Sequence, residues 1–159
     1  MTQNTLSKWL KAIIIGLGIF GVLVYGSVIP ECGDMLVSMY PEFSYCYYPW
    51  LIFIWITGIP CYAVLVFAWK VAVNIQNDNS FSMENARLMK WVACMALSDV
   101  TFFFIGNVIF LFLNMNHPSI MIASLLIVFI GVAVAVAAVI LSHLIAKAAV
   151  LKEQTDLTI

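Results

Sequence analysis

The chain has 159 residues, 64% of them hydrophobic and 9% charged, with a formal net charge of −1 and a mean hydropathy of +1.06. A soluble domain carries about 45–50% apolar and about 25% charged residues, so polar side chains are too scarce here to cover a water-facing globule. The balance excludes a soluble domain, a disordered chain and a nucleic-acid binder acting through a basic surface, and it places the chain in a bilayer.

A spanning helix needs about 20 mostly apolar residues, because the hydrocarbon core is ~30 Å thick and a helix rises ~1.5 Å per residue. Four stretches qualify: 9–29, 50–73, 88–113 and 120–146. None shows the period-2 alternation of a barrel strand. The expected fold is all-α, a polytopic four-transmembrane-helix bundle forming one integral membrane domain over 1–159.

Helix one follows Lys8 and Lys11 and carries Gly16, Gly18, Gly21 and Gly26, small residues that mark where helices approach. Its apolar run is longer than a signal-peptide core and no A-x-A site follows, so it is expected to be retained as a span. Residues 30–49 are expected to form an outer loop containing Cys32 and Cys46. These two are candidates for a disulfide that closes the loop, the alternative being two free thiols. Tyr40, Phe43, Tyr45, Tyr47, Tyr48 and Trp50 suit the headgroup level, where a ring is half apolar and half hydrogen-bonding. The sharper alternative is an aromatic pocket for a ligand or peptide.

In helix two, Gly58 precedes Pro60, which cannot donate to the Ile56 carbonyl, so a kink is expected there. The cytoplasmic loop, 74–87, is polar; Ser82 is the expected N-cap of helix three, Glu84 favours its positive end, and Phe81 is placed to pack on the first turn. Arg87 and Lys90 beside it are candidates for anionic lipid or a cytoplasmic partner. Helix four offers the small-x-x-x-small pairs Gly131–Ala135 and Ala138–Ser142, which support close packing and a homo-oligomer. Residues 147–159 are expected to be a polar tail. With the amino terminus inside, all seven basic residues fall on the cytoplasmic side, and the two outer connections hold none. This positive-inside bias sets both termini in the cytoplasm, in a plasma (inner) membrane.

Asp99 lies ~13 Å beyond Lys90 along helix three, where a carboxyl group is costly and marks function by default. Asn107 and Gly106 fall near its helical face, and no basic residue shares its depth. Asp99 and Asn107 are therefore the candidates for binding a ligand or proton. The plainer alternative is a neutral carboxyl group that glues the bundle by hydrogen bonds. His117 and His143 are too far apart to share a metal or haem, and no C-x-x-C, G-x-S-x-G, P-loop or H-E-x-x-H motif occurs. No enzyme, cofactor or metal is expected.

Two segments carry a family likeness. Ser80–Met89, SFSMENARLM, and the ending Leu151–Ile159, LKEQTDLTI, resemble the helix-three opening and the terminal motif of a family of small bacterial membrane proteins, domain of unknown function family 2975. The resemblance implies an integral protein without assigned activity, often encoded beside a small helix-turn-helix regulator of the Xre type. It suggests a non-enzymatic sensor or tether for that regulator, docking at Phe81, Glu84, Asn85, Arg87, Asp156, Leu157 and Ile159. The alternative to docking is a tail that clasps the 74–87 loop. The alternative function is a small transporter or immunity-type protein using Asp99 and the Pro60 kink.

Overall fold

The computed structural model describes residues 3–156. The chain runs through α1 (Gln3–Leu23), a π-helical segment (Val24–Val28), α2 (Ile29–Met39), a 3-10 turn (Pro41–Cys46), α3 (Tyr47–Gln76), α4 (Met83–Phe112) and α5 (Pro118–Asp156), with no strand among the described residues. Because α1, the π segment and α2 are continuous, four stretches are long and apolar enough to cross a bilayer. These are the four spans expected from composition.

The helices reach well past the expected ends. Residues 30–49, expected as a loop, are mostly helical: α2 continues the first span to Met39, and the 3-10 turn fills most of what remains. Residues 147–156, expected as a tail, extend α5 to 39 residues, or about 58 Å. Ala, Leu, Lys and Glu favour helix, and no Gly or Pro interrupts them. The connection expected over 74–87 shortens to 77–82, where Asp78 turns the chain at φ 56°. Ser82 caps α4 as expected, its hydroxyl accepting from the Asn85 N–H at 3.2 Å. Phe81, expected to pack on that first turn, is 57% exposed; the facing side chain four residues into the helix is only Ala86, too small to hold it.

The bundle is open. Neighbouring backbones pair as α1–α3, α3–α4 and α4–α5, and among the described residues α5 approaches neither α1 nor α3. Each seam has a local cause. Along α4–α5, the expected small residues of α5 do face the partner: Ala135 and Ala138 are buried, Gly131 lies under Val100, and the Ser142 hydroxyl donates to the Ala86 carbonyl at 2.7 Å. At α3–α4, Phe53 sits against Gly106 and stacks on Phe103 with ring centroids 5.8 Å apart. At α1–α3, the Tyr62 hydroxyl donates to the Gly18 carbonyl at 3.0 Å and fully buried Ser7 donates to the Ala72 carbonyl at 2.6 Å. Of the helix-one glycines only Gly18 and Gly21 meet α3; Gly16 and Gly26 face open space. Without a hydrophobic force between helices in lipid, such close fits and hydrogen bonds (about 0.6 kcal/mol each) hold the row together.

Candidate functional site

The site begins with a proline. In the π segment the Ile29 N–H bonds to the Val24 carbonyl, five residues back. The next bond in that register would come from Pro30 to Tyr25, and proline has no N–H. The orphaned Tyr25 carbonyl is capped instead by the Trp55 indole N–H of α3, at 2.9 Å. Such π segments cluster at functional sites, and this one turns the Tyr25 side chain onto α3. Its ring rests on Gly58, where a Cβ would lie 3.3 Å from Tyr25 Cε1. The Thr57 hydroxyl donates to the Ile54 carbonyl at 2.7 Å, so in the 3.3 Å contact between the two hydroxyls Tyr25 is the donor and Thr57 the acceptor.

One turn further along α3, which stays helical across Pro60, the Cys61 thiol donates to Asp99 Oδ2 at 3.8 Å and lies near the Tyr25 side chain. Asp99 Oδ1 is buried and has no hydrogen-bond partner. Three helices thus bring Tyr25, Thr57, Cys61 and Asp99 into one polar cluster. Ser98 and Thr101, beside Asp99 in sequence, turn back to the carbonyls of Cys94 and Leu97 at 2.8 Å. Nothing local in the sequence marks Tyr25, Thr57 or Cys61 as site residues; the available signal was the pair Tyr25 and Pro30, spaced for a π register.

Asn107 does not join Asp99. It is fully buried, donates to the Phe103 carbonyl at 2.9 Å and accepts from Asn116 Nδ2 at 3.1 Å, tying the α4–α5 turn to α4. That turn and residues 40–50 form the aromatic end of the row. Here the Trp50 indole N–H donates to the Met115 carbonyl at 2.8 Å, and the gap between α2, α3 and the start of α5 is a cavity of about 1100 Å³. Its walls include Leu36, Val37, Trp50, Leu51 and Ile54, with Asn116 and His117 supplying polar atoms. Cys32 and Cys46 both line it and are free thiols, Cys46 buried and Cys32 exposed. Tyr40, Phe43, Tyr47 and Trp50, expected at the headgroup level, are among its lining.

At the opposite end, Asn85, expected on a docking surface, is 1% exposed. Its amide donates to the carbonyls of Asn79 and Ser80 at 3.1 and 3.0 Å and accepts from Asn74 at 2.8 Å, so it locks the 77–82 turn and is withdrawn from any partner. Phe81, Glu84 and Arg87 are exposed. Asp156 ends α5, while Leu157 and Ile159 lie outside the described residues. Among the described residues no three His, Cys, Asp or Glu side chains gather to hold a metal.

Four apolar spans, an intramembrane carboxyl cluster and a cavity at one end define a small helical integral membrane protein. Residues 33–159 match the family described as "Protein of unknown function (DUF2975)", and the chain belongs to that family. It is similar to the uncharacterized membrane protein YoaS of Bacillus subtilis (strain 168), at 25% identity over 159 residues that cover 99% of this chain and 98% of the relative. No solved structure matches.

Proposed function

We propose that the protein is a non-enzymatic sensor of the bacterial plasma (inner) membrane, oriented with both termini in the cytoplasm. Its cavity, at the outer end, takes an amphiphilic compound from the bilayer. The observation that carries this is the cavity of about 1100 Å³, which is mostly apolar, has a few convergent polar groups and is slightly larger than the roughly 300–1,000 Å³ of typical small-molecule sites. On the other side, the exposed Phe81, Glu84 and Arg87 form the face offered to a cytoplasmic helix-turn-helix regulator, and occupancy of the cavity alters that face through the continuous spans.

Cys32, exposed on the cavity wall, gives the test. In phosphatidylcholine vesicles holding the full chain, a neutral long-chain amphiphile such as dodecanol slows the reaction of Cys32 with a membrane-impermeant maleimide. A labelling rate unchanged by dodecanol defeats the cavity reading. For the regulator, a small DNA-binding protein co-purifies from native membranes and is lost when residues 155–159 are removed; absence of any such partner with the tail intact defeats the tether.

A second reading, a small transporter or immunity-type protein, draws support from the π segment of the first span and from Pro60, which lacks a backbone donor inside the continuous α3 next to Cys61, since π bulges and prolines are where spans bend. It requires flux that Asp99→Asn abolishes in a folded protein, whereas the sensor tolerates that change in its regulator binding.

A further inference from the structure

The cavity and the Asp99 cluster lie on one continuous face. On α3, Tyr47, Leu51 and Ile54 line the cavity, and the same helical stripe continues through Gly58 to Cys61 at i+4 and i+7 from Ile54. On the first span, Val28, Ile29 and Cys32 line the cavity, and Tyr25 lies in the π segment that leads into them. Ile54 and Cys61 are seven residues apart, or about 10 Å along the axis. Between them sits the Tyr25 ring, lying across Gly58. The ring therefore stands between the last cavity-lining residue of α3 and the thiol that donates to Asp99.

At the base of that face, Asp99 Oδ1 is buried without a partner, while Oδ2 has only a thiol donor at 3.8 Å. The titratable groups facing it are Tyr25 from the first span and Cys61 from α3. No basic residue stands near this depth. Lys11 and Lys70 bracket the first span and α3 without another cation between them, and Lys90 and His117 bracket α4 in the same way. α5 supplies none between His117 and His143. The chain therefore holds an acceptor in the membrane and supplies no cation to match it. A buried carboxylate left in that state is costly, and the cost is relieved either by taking up a proton or by a charged donor that reaches it.

We infer that the compound taken by the cavity is a lipophilic ammonium, its apolar body in the cavity and its N–H donors reaching past the Tyr25 ring to Asp99. This rests on the cavity reading above and adds the charge of the ligand and the residue that selects it. Charge-assisted hydrogen bonds are the strong ones, and in a low-dielectric site they discriminate sharply against a neutral analogue.

The test compares dodecylammonium with dodecanol as protectants of Cys32 from an impermeant maleimide, using the full chain in phosphatidylcholine vesicles. Bilayer partitioning is cancelled by taking the ratio of half-protecting concentrations, alcohol to ammonium, in each variant. The ratio is expected to fall at least about tenfold on Asp99→Asn, the loss of one charge-assisted hydrogen bond; Asp99→Ser serves the same purpose if the amide variant does not fold. Protection by dodecanol with a ratio unchanged by either variant overturns the ammonium assignment and leaves the cavity standing. Protection by neither probe overturns both.

Discussion

Two asparagines show how much a single buried amide does in this protein. Asn85 and Asn107 are both closed off from solvent, at 1% and 0% exposure, and each ties a turn to α4 through its side chain. Asn85 satisfies two turn carbonyls and Asn74 at once. Its truncation leaves those groups without partners, and an unmatched buried polar group costs about 1–3 kcal/mol. Asn85→Ala is therefore expected to lower the thermal midpoint in detergent micelles clearly. Arg87→Ala, two residues on and exposed, is expected to stay within about 0.5 kcal/mol of the unmodified chain. Equal midpoints for the two variants would show that Asn85 is not a lock. The sequence marked Asn85 only as part of a family-like segment; burial, which decides between a docking contact and an internal one, depends on how the 77–82 turn folds back, and no local pattern records that.

At the scale of elements, Pro30 is the instructive case. A proline after an apolar run reads as a helix end in water, yet in lipid a backbone that leaves the helix has nothing to bond, so the span continues. The π register and the Trp55 indole absorb the missing N–H. This makes Pro30 and Trp55 energetically coupled. Trp55→Phe alone strands the Tyr25 carbonyl and is expected to cost on the order of 1 kcal/mol. With Pro30→Ala in place the backbone supplies its own donor, and the same change should cost little. A double-mutant cycle by thermal unfolding measures this, and additive effects would disprove the coupling. The same physics separates what was legible from what was not. The four spans, the Ser82 cap and the small face of α5 were readable because each is a local signal. The meeting of Tyr25, Cys61 and Asp99 was not, because spans that are apolar nearly all round mark no face for the core. Their rotation is set by individual fits such as Phe53 on Gly106 and Val100 on Gly131, which appear only when the helices are packed.

For the molecule as a whole, the row places its basic residues at one end and its cavity at the other. The start of α1, the end of α3 and the 77–82 turn are joined by Ser7 to Ala72 and by Ser80 to Gln3 at 2.8 Å. The end of α5 meets the start of α4 at Ser142. Every Lys and Arg of the chain lies toward that end, while the cavity opens at the other. Positively charged flanks are retained in the cytoplasm during insertion, so the cavity is expected to face outward. With Cys32, Cys46, Cys61 and Cys94 replaced by serine, a cysteine at Ser44, exposed in the 3-10 turn, should react with an impermeant maleimide in intact cells. One at Asn77, exposed at the basic end, should react only after permeabilisation. The reverse pattern would do more than flip the drawing. It would open the cavity to the cytoplasmic leaflet and carry Phe81, Glu84 and Arg87 outside, where no transcriptional regulator could reach them. The sensor reading thus depends on orientation more than on any single side chain, whereas the pairing of Asp99 with an ammonium is independent of it, since mid-membrane depth is the same from either side.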